Sequence, residues 1–181
     1  MFRILTFITL LLAQSAISMA YEQMFSKTDV GTIEIKTLPE MRALKHTGET
    51  SDYFEENNGL FMPLFRYIEK NDLAMTVPVE SEMAPATMMF FIGSEVDISE
   101  IESTEQIEVV TIPERQVLAV GIRGDYSEEK YQQALEQAML WVQEHPDYVA
   151  AGPARMIYWN GPYVPGFLKR SELHLPIAKR S

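Results

Sequence analysis

The chain has 181 residues, 46% of them apolar and 10% aromatic, enough for one domain with a substantial core and too few for two ordinary ones. No low-complexity stretch dilutes that composition, which excludes extensive disorder. A formal net charge of −11 argues against nucleic acid and anionic membrane surfaces as partners, and zero Cys excludes disulfides, Cys-ligated metal and cofactor attachment through thioethers.

Residues 1–20 read as a secretory signal: Arg3 supplies the basic start, residues 4–12 an apolar run, and Ser18-Met19-Ala20 a small-x-small cleavage site. Gln14 and Ser15 interrupt the run well before the ~20 apolar residues that a bilayer crossing needs. The mature chain is therefore expected to begin near Tyr21, to span residues 21–181 as a single domain, and to be exported to the periplasm or outside the cell. No stable membrane insertion is expected once the signal is cleaved. Without Arg3, 14 Lys+Arg face 26 Asp+Glu, a net of −12.

Alternation of Ile33 with Ile35, and of Leu44 with His46, on either side of Pro39-Glu40 predicts a strand, a turn and a second strand. A helix is predicted over residues 52–70, where Phe54, Leu60, Phe61, Leu64, Phe65 and Ile68 recur at three-to-four spacing. Gly59 weakens its start and Pro63 falls inside the pattern, so the helix is expected to begin or kink there. Strands over residues 74–81 and 88–93 complete the unit.

The acidic stretch 95–106 connects this unit to a second one. Residues 33–44 match residues 107–118 at an offset of 74, with six of twelve positions identical, and Tyr67-Ile68 falls on Trp141-Val142. In the second unit Ser127 is the expected N-cap, Tyr131, Leu135, Ala138, Met139 and Val142 form the apolar stripe, and His145-Pro146 ends the helix. Strands over residues 154–159 and 172–177 follow. Matching halves predict an α+β fold of two ββαββ-like units related by a pseudo-two-fold axis, with two main helices packed on an antiparallel sheet. The groove between the halves is the natural pocket. An ancestral duplication accounts for the repeat, and neither half is expected to fold alone.

The sequence contains no G-x-S-x-G, H-E-x-x-H, P-loop or G-x-G-x-x-G pattern, so it points to no common catalytic class. Of its three His, His174 alternates with Leu173 and Leu175 and is expected to face solvent, while His145 sits where a cation caps helix carbonyls. His46 has the apolar Val120 as its repeat counterpart, which points to a partly buried neutral imidazole able to ligate a metal. Met62, Met75, Met88 and Met89 cluster about the first helix and the strands after it, filling the core while permitting a greasy pocket.

Glu34 with Glu108, and Glu40 with Glu114, occupy equivalent positions. Paired carboxylates can do acid–base work, but here symmetry and surface turns account for them. The loop Asn160-Gly-Pro-Tyr-Val-Pro-Gly-Phe167, followed by Lys169-Arg170, is suited to rim a pocket and to meet ligand carboxylates.

Three motifs carry a family resemblance. Leu73-Ala-Met-Thr-Val-Pro-Val79 resembles the M-T-x-P-V signature of the SOUL haem-binding proteins, and Phe90-Phe-Ile-Gly-Ser94 resembles their F-F-x-P-S strand end, with Gly93 in place of the usual Pro. The segment from Trp159 to Leu173 resembles their closing P-P-x-x-P-F-x-R-x-E stretch, and the likeness covers about residues 33–176.

The resemblance implies a duplicated α+β fold shared with GyrI-like small-molecule-binding domains. It also implies non-covalent, reversible binding of haem or metal-free porphyrin in a hydrophobic groove beside the first helix, by a carrier, buffer or scavenger and not an enzyme. The groove residues it implies are Phe61, Met62, Phe65 and Arg66 with Met75 nearby, and His46 is the candidate iron ligand. The alternatives are a module for other hydrophobic small molecules or a protein partner, and a hydrolase acting on a bound ligand with Glu34, Glu108 or Tyr158 as acid–base groups.

Overall fold

The computed structural model describes residues 21–55, 59–97, 99 and 101–180; the expected signal segment lies outside them. The first half of the chain forms β1 (Glu22–Gln23), β2 (Ile33–Leu38), β3 (Met41–Thr47), a 3-10 turn at Tyr53–Glu55, α1 (Phe61–Lys70), β4 (Thr76–Val77), β5 (Val79–Glu82) and β6 (Thr87–Phe91). The second half forms β7 (Glu108–Ile112), β8 (Arg115–Arg123), α2 (Glu128–Glu144), β9 (Tyr148–Ala150), β10 (Arg155–Tyr158), a 3-10 turn at Gly166–Leu168 and β11 (Arg170–Lys179).

The fold is α+β: two α-helices and a curled antiparallel sheet ordered β2-β8-β11-β10-β5-β6-β3-β7, with β9 paired to β11. This order reads the same from either end when β2, β3, β5 and β6 are exchanged for β7, β8, β10 and β11. The halves meet where β2 pairs with β8, β5 with β10 and β3 with β7, so each completes the other's hydrogen bonding.

Local chemistry sets the element ends. The helix expected from residue 52 starts only at Phe61; Tyr53–Glu55 is a 3-10 turn, and Gly59 falls in the gap between them. Pro63 sits in the first turn of α1, where a backbone N–H would have no intrahelical partner anyway. The strand expected over residues 74–81 is split at Pro78, which has no N–H for a ladder. α2 begins as predicted, with the Ser127 side chain accepting from the Lys130 N–H at 3.4 Å, and it ends at Glu144, before His145 and Pro146.

Both faces of the sheet are covered. On one, Leu44, Phe90, Leu118, Val120, Met156 and Leu173 pack beneath Leu64, Tyr67 and Ile68 of α1 and Ala134 and Ala138 of α2. Each large side chain buried there contributes roughly 1.5–3 kcal/mol. The opposite face buries Leu38, Met41, Ala43, Met89, Phe91, Ile112 and Val117 against Met24 and Phe25.

His174, expected at solvent, is 1% exposed on this second face. Alternation along β11 does separate it from Leu173 and Leu175, but the sheet curls and its far side is covered too.

Much of that cover is a strap formed by residues 22–29. The Met24 N–H donates to Val77 O at 2.9 Å, Ser26 O accepts from Lys36 Nζ at 2.7 Å, and Phe25 packs edge-on to Phe91 and Trp159. Thr28 donates to Glu172 from its N–H at 2.7 Å and from its hydroxyl at 3.0 Å. Where the strap crosses β8, a Cβ at Gly121 would overlap Asp29 O, so only glycine fits there.

Candidate functional site

On the helix-covered face a cleft of about 350 Å³ opens between the start of α1 and the loops that lead into α2 and β11. Tyr53, Phe54, Leu60, Phe61 and Met88 line it from the first half, and Asp125, Tyr126 and Lys169 from the second. It therefore lies at the junction of the two halves, beside the first helix.

Aromatic rings build the site. Tyr158, 7% exposed, stacks with Tyr53 at 5.9 Å and meets Tyr126 at 4.4 Å. Phe61 packs edge-on to Phe90 at 5.1 Å, and Phe54 touches Tyr131. Burial pushes the Tyr126 phenol up to about 12 and raises those of Tyr53 and Tyr158 as well, so all three stay protonated at neutral pH. The Tyr126 hydroxyl is occupied by backbone: it lies 3.0 Å from Asn160 O and 3.2 Å from Arg170 O and accepts from the Asn160 N–H at 3.1 Å.

Charge is confined to the rim. Lys169 Nζ lies 4.9 Å above the Tyr126 ring. The Asp125 side chain abuts Gly166, where a Cβ would overlap its carboxylate; glycine lets the 160–169 loop close against the rim. Aromatic walls that expose as much polar as apolar surface, with Asp125 and Lys169 among them, suit a flat molecule that carries polar or acidic substituents.

Among the residues predicted from sequence, Phe61 lines the cleft, and Phe65 stacks on Phe61 at 5.7 Å and 18°. Met75 is half-buried against the same core. Met62 and Arg66 are exposed on α1 and do not line the cleft. His46 does not line it either, but pairs across β3 and β6 with Met88, which does. Its Nδ1 lies 2.7 Å from Gln106 O; a carbonyl only accepts, so Nδ1 is the donor.

His145 Nδ1 likewise donates to a helix carbonyl, Trp141 O, at 2.7 Å. Among the described residues no group of three or more His, Asp or Glu could hold a metal, and the cleft's soft neutral donor is the Met88 thioether.

Tyr53, Phe54, Leu60, Asp125 and Tyr126 were not anticipated as site residues. The first three fall within the stretch read as one helix, and the last two precede the Ser127 cap. Tyr126-Ser127, an aromatic beside a helix cap, was the available signal.

Glu34 and Glu108 are exposed, next to Lys36 at 3.5 Å and Lys45 at 3.3 Å, away from the cleft. The deeply buried carboxylates are instead Glu80 and Glu172, on the strap-covered face. Glu80 pairs with Arg115 and, at 2.7 Å, with Arg155, which also reaches Glu82 at 2.7 Å.

Glu172 accepts from Thr28, from Lys36 Nζ at 3.0 Å, from Trp159 Nε1 at 2.8 Å and from His174 Nε2 at 2.8 Å. Burial alone would raise its carboxyl, but the His174 and Thr28 hydrogen bonds and the Lys36 charge outweigh it and hold the group at about 2. Burial lowers His174, whose ring is fully enclosed.

Against known families, residues 18–176 match the model described as "SOUL heme-binding protein". No curated protein matches the chain. Among solved structures, the EcmrR C-terminal domain superposes with a TM-score of 0.65 at 17% identity, covering 82% of this chain and 98% of that one. The chain spans 58% of EcmrR in its DNA complex. A hydrolase from Listeria innocua gives 0.60 at 13% identity, covering 83% and 94%. SAV2435 bound to tetraphenylphosphonium gives 0.52 at 12% identity, covering 81% and 94%. At these identities the likeness to solved structures is one of fold.

Proposed function

The chain belongs to the SOUL haem-binding protein family, and from that premise we propose that it binds haem or metal-free porphyrin reversibly and without covalent attachment, in the cleft lined by Phe61, Met88, Tyr126 and Lys169. The role fits a carrier, buffer or scavenger, working in the periplasm or outside the cell if residues 1–20 act as an export signal. The family is one of binding proteins, so no reaction is assigned to the cleft.

One observation carries this reading: an aromatic-walled cleft whose rim cation, Lys169, can meet a propionate while Tyr53, Phe54 and Phe61 contact the ring face. Burying a few hundred Å² of porphyrin at ~25 cal/mol per Å² supports micromolar binding after association costs. When bound, haem would bring redox-active iron. This chain's own residues would hold the ring and its acid groups, with Met88 in the cleft and His46 beside it on β3 as the candidate iron donors.

Hemin titration is expected to give a saturable Soret shift near one equivalent, with protoporphyrin IX binding within a few-fold of hemin. Lys169→Ala should weaken both about three- to tenfold. His46→Ala should leave the Soret band unmoved if the iron takes no ligand from it. Flat or non-saturating spectra with both porphyrins would overturn the reading and favour the broader one, a module for other lipophilic molecules.

A further inference from the structure

The 160–169 loop ends in a largely uncovered apolar tip: Tyr163 is 97% exposed, Phe167 72% and Leu168 47%. We propose that this tip docks the protein on the surface of a zwitterionic lipid bilayer.

The tip is built to hold its shape. The Val164 N–H donates to Gly161 O at 3.3 Å, Leu168 to Pro165 O at 2.9 Å and Lys169 to Gly166 O at 2.9 Å, while the Arg170 N–H donates to the Asn160 side chain at 2.7 Å. Pro162 and Pro165 bring no N–H at all. These hydrogen bonds preorder the tip, and a preordered segment loses little entropy on docking.

Area and charge select the partner. Three projecting side chains offer a few hundred Å² of apolar surface. A specific protein interface needs roughly 800 Å² per partner, which this tip falls well short of. A convex aromatic and aliphatic knob instead suits a deformable interface in which Tyr and Phe settle at headgroup level.

The −12 charge of residues 21–181 disfavours an anionic surface. Lys169 and Arg170, directly behind the apolar tip, suit the phosphates of neutral headgroups. Lys169 also lines the cleft, so docking brings the cleft mouth to the phase in which lipophilic ligands dissolve. The interaction is peripheral: among the described residues no helix is long and apolar enough to cross a membrane.

The test floats the chain from Tyr21 onward, which holds every described strand and helix, with phosphatidylcholine vesicles that contain no porphyrin. The unmodified chain should rise with the vesicles, and raising the salt should change its partition less than twofold. The triple variant Tyr163→Ser, Phe167→Ser, Leu168→Ser should partition at least tenfold less while its Tm drops only slightly, because Tyr163 and Phe167 are mostly exposed and Leu168 about half so. Should the triple variant misfold, Tyr163→Ser alone should still cost about threefold.

An unmodified chain that stays in the bulk, or variants that float equally well, would overturn the proposal. So would sedimentation showing a dimer that the triple variant breaks, which would make the tip an interface between copies. Because the vesicles lack porphyrin, neither result depends on the ligand reading.

Discussion

Glu172 and His174 show what a buried polar pair contributes and when that contribution is lost. The Glu172 carboxyl titrates at about 2 in the fold against its ordinary 4.5, so the unfolded chain binds more protons between those values and stability rises with pH across them. The full window corresponds to about 3 kcal/mol, present above pH 4.5 and lost as pH falls toward 2. His174, lowered from 6.5, acts in the same direction: below pH 6.5 its protonation favours the unfolded chain.

Tm should therefore hold steady from pH 6.5 to about 9, below the range where unfolded tyrosines ionise, decline below pH 6.5 and fall steeply under pH 4.5; a flat Tm from pH 6.5 to 3 would refute this. Glu172→Gln takes from Lys36 its buried carboxylate, leaving only the exposed Glu34 at 3.5 Å, and should cost about 3 kcal/mol in urea unfolding at pH 7. His174 was misread from sequence for a physical reason. Alternation tells which residues share a face but not whether the far face is wet, and the Thr28 and Lys36 that bond Glu172 beside His174 come from distant parts of the chain.

Among the elements, the strap depends most on a single position. Gly121→Ala forces a methyl into Asp29 O and should lower stability by about 2–3 kcal/mol, readable as a drop in Tm, with amides of residues 22–28 losing protection in hydrogen exchange before those of β8. An unchanged Tm would mean that the strap shifts at no cost.

Helix α2 was legible because cap, stripe and stop agree along one local stretch. Helix α1 was legible only in its second half, since apolar spacing ran on through Tyr53-Phe54, which turn off into a 3-10 turn and a cleft wall. The cleft was legible as a place, between the halves and beside the first helix. Of its second-half residues Lys169 was legible as a rim cation, whereas Asp125 and Tyr126 were not, because pairing of β8 with β11, a contact with no local sequence signal, brings them to it.

For the molecule as a whole, the interleaved sheet predicts its folding unit. β2, β5 and β3 all pair with strands of the other half, so residues 21–97 expressed alone should give a disordered circular dichroism spectrum, and the chain from Tyr21 onward should unfold in one cooperative step. A folded half-chain would contradict that.

The two tryptophans follow the same division of faces. Trp159, 4% exposed and bonded to Glu172, lies in the dry interior beneath the strap, whereas Trp141 stacks on His145 at 3.8 Å near the outer end of α2. The chain thus carries its own optical gauge. Acid opening of the interior should wet Trp159 and shift its emission to the red while Trp141 changes little, so Trp141→Phe would leave a single colour that reports, without any label, whether the strap is shut.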